Sequence, residues 1–219
     1  MRRQNNNYYF SVEGDTEKYY LEHLRTLINN DESRICNVSF KIKITDSPKS
    51  FVKGTKTLEK LDFYHITDIE SLEEYHINHF KDQLSEMKDV KVEISPRVKS
   101  YSLGYTNFTF ELWMIFHKKD CFGAFNHRRD YLSEINKAYN KSFERINEFK
   151  NERTFKAILD DITLNDVKEA IRRSEVVMSN LERNGYTKKQ YKGYKYYEEN
   201  PSLSLHEIIK KILNDVGLI

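Results

Sequence analysis

The stretch FSVEGDTEKYYLEHL, residues 10–24, decides how this chain is read. A short apolar run ends in Glu13-Gly14, and helical spacing begins at once, with Tyr20, Leu21, Leu24, Leu27 and Ile28 on one side of a helix over 16–30. A strand therefore delivers one carboxylate to the point where the chain turns, and a second, Glu17, follows on the first helical turn. One reading is punctuation: Gly14 turns the chain, Asp15 or Thr16 caps the helix, and Glu17 suits the positive end of its dipole. The other is that the strand end presents acids to a ligand.

The sequence on either side of the helix supplies more strands. YYFSV (8–12) reads as a buried strand, and NVSFKIKIT (37–45) alternates Val38, Phe40, Ile42 and Ile44 with period two. Ser47-Pro48 opens a second helix, since proline is tolerated at a first helical position. DFYHIT (62–67) is a third short strand and runs into Asp68-Ile69-Glu70. Residues 73–88 form a helix with Ile77, Phe80, Leu84 and Met87 on one side, and VKVEIS (90–95) is expected as the fourth strand, stopped by Pro96. Strands alternating with helices imply an α/β protein with a mostly parallel four-stranded sheet flanked by helices.

The character changes after about residue 107. NFTFELWMIFHKK (107–119) reads as a buried helix, and 129–150 and 164–183 read as helices. A Tyr/Lys-rich stretch, 185–201, precedes a last helix carrying Leu205, Ile208, Ile209, Ile212 and Leu213. The expected division is an α/β domain over 1–120 and a helical C-terminal region over 121–219 packed on it.

Among 219 residues, 32% are charged yet the net charge is only +2, so a nucleic-acid site must be a local patch rather than a global field. Cys36 and Cys121 lack a Cys-x-x-Cys partner, which argues against structural zinc and a disulfide framework. No run of about 18 apolar residues marks a membrane span. The expectation is a cytoplasmic protein that does not meet a membrane.

In an open parallel sheet, ligands collect outside the carboxyl ends of the strands. If the first and third strands are adjacent, Glu13, Asp68 and Glu70 share one rim, with Glu17 one turn into the helix that leaves it. Acids so close repel unless a cation joins them, and an oxygen-only ligand set suits Mg²⁺ or Mn²⁺. The bland reading of Asp68-Ile69-Glu70 is a solvated acidic loop.

The pattern Glu13-Gly14-Asp15-Thr16-Glu17 with Asp68-Ile69-Glu70 resembles the TOPRIM domain of topoisomerases, primases and overcoming-lysogenization-defect nucleases. There a glutamate after the first strand and an Asp-x-Asp after the third build a magnesium site; Glu70 stands here where Asp is usual. A closer resemblance covers nearly the whole chain. VEGDTEKYYLEHL, NFTFELWMIFH (107–117) and NPSLSLHEIIKKI (200–212) resemble three segments of the RloB-like family. Phe110-Glu111-Leu112-Trp113 through His117 is the most specific match, whereas the family's Ser-Asn-Pro lead is replaced here by Tyr105-Thr106-Asn107-Phe108. The resemblance implies a TOPRIM-like nuclease subunit paired with an AAA/ABC-type ATPase in bacterial anti-phage defence, including abortive infection.

The expected chemistry is Mg²⁺- or Mn²⁺-dependent cleavage of phosphodiester bonds in RNA, such as tRNA, or in DNA. Asp68 and Glu70 bind metal, Glu13 is a ligand or the general base, and Glu17 is a second-site ligand. Glu111 either caps or pairs with a lysine, or adds a further ligand, and His117 is read first as a core histidine. Lys118, Lys119 and Arg97 are candidates to steady the transition state. KKQYKGYKYY (188–197) offers Lys188, Lys189, Lys192 and Lys195 to phosphates and Tyr191, Tyr194, Tyr196 and Tyr197 to unpaired bases; as an alternative it is a mobile solubilising loop. HKKD (117–120) and HRRD (127–130) add to a basic rim. The chain has no Gly-x-x-x-x-Gly-Lys-Ser/Thr loop, so ATP hydrolysis falls to a partner. Three further expectations stay open: a catalytically inactive nucleic-acid-binding or regulatory subunit, a phosphoryl-transfer enzyme acting on a nucleotide, and a homo-oligomer.

Overall fold

A computed structural model describes residues 3–94, 96–123, 125 and 127–219. The sheet forms first along the chain: β1 (Asn5–Val12), β2 (Asn37–Ile44), β3 (Leu61–Asp68) and β4 (Val98–Asn107) are joined by helices α1 (Asp15–Asn30), α2 (Pro48–Gly54) and α3 (Glu74–Glu93). Each crossover carries a helix, so the four strands run parallel, in the order β2-β1-β3-β4. The remaining elements are α4 (Glu111–Phe116), a 3-10 turn Arg128–Asp130, α5 (Tyr131–Tyr139), α6 (Ile146–Lys150), α7 (Glu152–Asp160), α8 (Leu164–Arg183), β5 (Lys189–Tyr191), β6 (Tyr194–Tyr196), β7 (Ser202–Leu203) and α9 (Leu205–Asp215). β7 adds a fifth, antiparallel strand to the edge of β4, with Thr106 opposite Leu203.

Two apolar layers sandwich the sheet. Phe10, Val12, Phe40 and Tyr64 pack with α1, α4 and residues of α5, α7, α8 and α9 on one face. Phe63, Tyr101 and Tyr105 pack with α2, α3 and Tyr194 and Tyr196 of the β5–β6 hairpin on the other. Successive strand residues point to opposite faces, so both layers are fed by the same strands.

The fourth strand corrects the sequence expectation. VKVEIS alternates like a strand, but Val90 continues the buried helical row Phe80, Leu84, Met87, while Val92 is 68% exposed. Residues 90–93 therefore close α3; Ser95 lies outside the described residues. The true strand, VKSYSLGYTN, hides its alternation because one face is small. A Cβ on Gly104 would stand 2.7 Å from Ile208 Cδ1 of α9, so the close seat of α9 demands a small residue there. The helix expected over 129–150 is two helices: α5 ends at Asn140 in the left-handed region (φ 51°), and α6 follows after a break.

Candidate active site

Parallel pairing sets the site. Val12 lies opposite Ile66 and Asp68 opposite Thr106, so β1, β3 and β4 end at one edge, where the chain turns into α1 and α4. One residue past β1, the Glu13 carboxylate accepts hydrogen bonds from Asp68 N–H at 3.1 Å and Gln83 Nε2 at 2.6 Å. Thr67 Oγ1 stands 2.8 Å from both Glu13 Oε1 and Gln83 Oε1, and its one proton serves one of them. Asp68 accepts from Phe110 N–H at 3.1 Å and from the Thr106 hydroxyl. Glu111, the first residue of α4, is 1% exposed and accepts from the Thr109 hydroxyl.

Glu17 folds back over the turn. A Cβ on Gly14 would meet its Oε2 at 2.9 Å, and Thr16 Oγ1 donates to the same oxygen at 3.0 Å. The first turn of α1 has no side-chain cap, and its free N–H groups favour a carboxylate here. The bare Cα of Gly14 thus makes room for Glu17.

Burial sets the electrostatics. It pushes the Glu17 carboxyl up to about 7, helped by Glu111 and Glu13 against the pull of its own backbone N–H and of Lys150. Burial also raises Asp68, with repulsion from Glu17 and Glu13 adding to it, and raises Glu13 despite its donors. Two basic residues face these acids among the described residues: His79, with Nε2 3.9 Å from Glu13 Oε1, and a lysine. Lys150, at the end of α6, places Nζ 3.0 Å from Glu111 Oε1, an ion pair whose angle falls outside hydrogen-bond geometry. Burial lowers the Lys150 pKa, but attraction to Glu111 and Asp68 outweighs it and the net shift is upward.

Glu13, Glu17, Asp68 and Glu111 thus share one neighbourhood, and Glu70 does not join them. Asp68 is the last residue of β3; Ile69 turns into the core, its N–H bonding Thr106 O at 2.9 Å. Glu70 emerges on the far side of that turn, 2.9 Å from His76 Nε2 and 3.2 Å from Arg128 Nη1. Glu70 is thus held by basic partners, whereas Glu13 bonds to the Asp68 backbone.

In kind, the donor set fits a hard divalent cation: all oxygen, with three carboxyls raised above all by burial and, for Glu17 and Asp68, further by their acidic neighbours. In arrangement it is held open by protein donors. Among the described residues no three His, Cys, Asp or Glu side chains converge at metal-ligand spacing.

The other sequence candidates scatter. His117 is a core histidine: Nδ1 faces Trp113 O at 2.9 Å, Nε2 faces Tyr20 O–H at 3.2 Å, and burial lowers its pKa to about 4. Lys118 pairs with Asp166 and Lys119 with Glu134, while Arg97 precedes β4 at the opposite edge of the sheet. In the hairpin, Lys189, Lys192 and Lys195 are exposed, but Tyr194 is buried and its O–H donates to Tyr101 O at 3.2 Å. Lys188 is half-buried on Glu182, and Tyr191 packs partly on the α3 layer. Tyr194, Tyr196 and Tyr197 as stacking platforms are corrected: their rings are part of the core. Sequence reasoning missed Lys150, Gln83 and Thr67, and for Lys150 no local motif signalled it.

A parallel sheet whose carboxyl edge carries buried and half-buried acids at three strand ends defines an α/β protein with an acidic edge. The family model described as RloB-like protein matches residues 8–212, and the chain belongs to that family. No curated protein and no solved structure matches it.

Proposed function

We propose that the protein is a divalent-metal-dependent phosphodiesterase acting on nucleic acid, with its site at the carboxyl edge of β1 and β3. The observation that carries this reading is the hydrogen bond from the Asp68 backbone N–H to the Glu13 carboxylate, beside Glu17 and Glu111, in a setting that raises three of the carboxyls. Asp68, Glu17 and Glu111 would hold Mg²⁺ or Mn²⁺, with Glu13 as a further ligand or as general base. A bound divalent ion supplies charge for the developing oxyanion and a water of lowered pKa. The chain's own part is to hold Glu13 through Gln83 and Thr67 and to take up a proton on it; a carboxyl raised toward neutrality suits that task. Its family and the lack of a nucleotide-hydrolysing loop support work beside a partner ATPase in anti-phage defence.

One observation favours a second reading, a nucleic-acid-binding or regulatory subunit that does not cut. Lys150 neutralises Glu111, Glu70 is turned away, and the described acids are not gathered into a ligand set.

The test separates them. Single-stranded RNA, tRNA, single-stranded DNA and plasmid are incubated with the protein, with and without a candidate partner ATPase, in Mg²⁺, Mn²⁺ or EDTA. Cleavage abolished by EDTA and reduced about 100-fold or more in Glu13→Gln and Asp68→Asn is expected. Binding without cleavage in every arm favours the second reading.

A further inference from the structure

Next to the acids lies a cavity of about 440 Å³ lined by Thr109, Glu111, His127, Arg128, Arg129, Ile146, Asn147 and Lys150. Its floor belongs to the site already described, through Glu111. Its other residues reach beyond that site: Arg128 and Arg129 join Lys150, so the lining holds three cations and a single acid. Arg128 is tied to Glu70, and Glu70 to His76 at the start of α3, so the residue that leaves the acid cluster braces this lining. Among the described residues Arg129 makes no ion pair; its guanidinium Nε contacts His127 Nδ1 at 3.3 Å.

We propose that this cavity seats one unpaired nucleotide of an RNA or DNA strand, with its phosphate on Arg129, Arg128 and Lys150. The inference rests on the proposed phosphodiesterase site, whose substrate it specifies. Three features of the page carry it. The volume falls within the roughly 300–1000 Å³ of small-ligand sites, which admits a nucleotide and excludes a base-paired helix. Arginine forks match phosphate oxygens two at a time, which a lone lysine does not. The planes of Arg129 and His127 offer faces on which an extruded base stacks. A phosphate held there lies beside Glu111, and Glu111 and Lys150 act electrostatically on Asp68 and Glu17. The strand is thereby led from the basic wall to the acids.

The experiment is a binding titration of the full chain in EDTA, where no metal-dependent cutting occurs. Fluorescein-labelled 12-nucleotide single strands of RNA and DNA, and a blunt duplex, are followed by anisotropy at several salt concentrations. At least one single strand is expected to bind more tightly than the duplex. Arg129→Glu, at an exposed position, should weaken that binding at least tenfold and flatten the salt dependence by about one phosphate contact, and Arg129→Lys should recover most of the affinity. Unchanged thermal unfolding of both variants removes misfolding as a cause. The proposal is overturned if the wild type binds no strand, if the duplex binds as well as the single strands, or if Arg129→Glu binds like wild type. It is also overturned if Lys189→Glu/Lys195→Glu in the hairpin costs more affinity than Arg129→Glu. Failure of cleavage with these binding results intact sinks the hydrolytic reading and leaves the pocket standing.

Discussion

At the carboxyl edge of the sheet, polar side chains are drawn inside; on the β5–β6 hairpin, aromatic ones are. Both regions carry residue types that suit nucleic-acid chemistry, and packing sorts them in opposite ways. Glu17 and Glu111 are buried and Asp68 half-buried at a cost, since a carboxylate loses hydration there and gains only partial compensation. Tyr194 and Tyr196 are buried at a gain, closing the layer over Phe80 and Tyr105. A region that spends stability to keep acids dry is a candidate for chemistry. A region that gains stability from its aromatic side chains needs no further explanation.

The comparison breaks most sharply at Tyr196, which is 2% exposed and meets Phe80 with ring centroids 5.0 Å apart. Tyr196→Ala should cost about 3–5 kcal/mol, the range for emptying a buried aromatic site. Urea midpoints read the loss, and binding of a single strand, measured where the variant remains folded, should change less than threefold. A stable variant with strongly weakened binding would return the hairpin to the functional side.

How much of this could be read from the sequence follows from where each signal lives. β1, α1, β2 and β3 announce themselves because their apolar periods are strong and uninterrupted, and so Glu13 and Asp68 fall where the strand order places them. β4 is masked because α9 sits against Gly104, and tertiary contact rather than local pattern selects the small residue. The surroundings of Glu70 are not legible in the strand pattern, because it lies past Asp68, the end of the strand, in a turn where Ile69 takes the inward position. Lys150 had no local signal: its partner Glu111 is remote in sequence, and only the packing of α6 beside α4 joins them.

The cost of the acidic edge should be visible in pH dependence. Glu17 has its carboxyl raised from 4.5 to about 7 by burial, so the folded protein holds that proton more tightly than the unfolded chain. Its contribution is neutral well below pH 4.5, and becomes a growing penalty as the pH rises to about 7, levelling off above. The full penalty is at most about 3.4 kcal/mol, at 1.36 kcal/mol per unit. In EDTA, wild type should lose more stability between pH 5 and pH 8 than Glu17→Gln, by urea unfolding. Adding Mg²⁺ at pH 8 should stabilise the wild type more than the variant. Equal pH profiles would mean that the edge is not electrostatically costly, and the contrast with the hairpin would lose its basis.

The smallest effect tests the geometry of the turn itself. Gly14 has φ −139° and ψ 177°, an extended conformation open to any residue, so Gly14→Ala introduces no backbone strain. What it introduces is a methyl group at 2.9 Å from Glu17 Oε2. The carboxylate can swing away cheaply, so stability should fall by less than about 1 kcal/mol, in line with the weaker N-cap preference of alanine. Function is where the change should register. If Glu17 acts from its place over the turn, moving it by even a fraction of an ångström should cut cleavage by about tenfold, since reacting groups tolerate little misplacement. The same substitution should leave single-strand binding in EDTA unaltered, because the basic wall is built from other segments. Cleavage at the wild-type rate would show that Glu17 does not act from there, and the glycine would then serve only to turn the chain into α1.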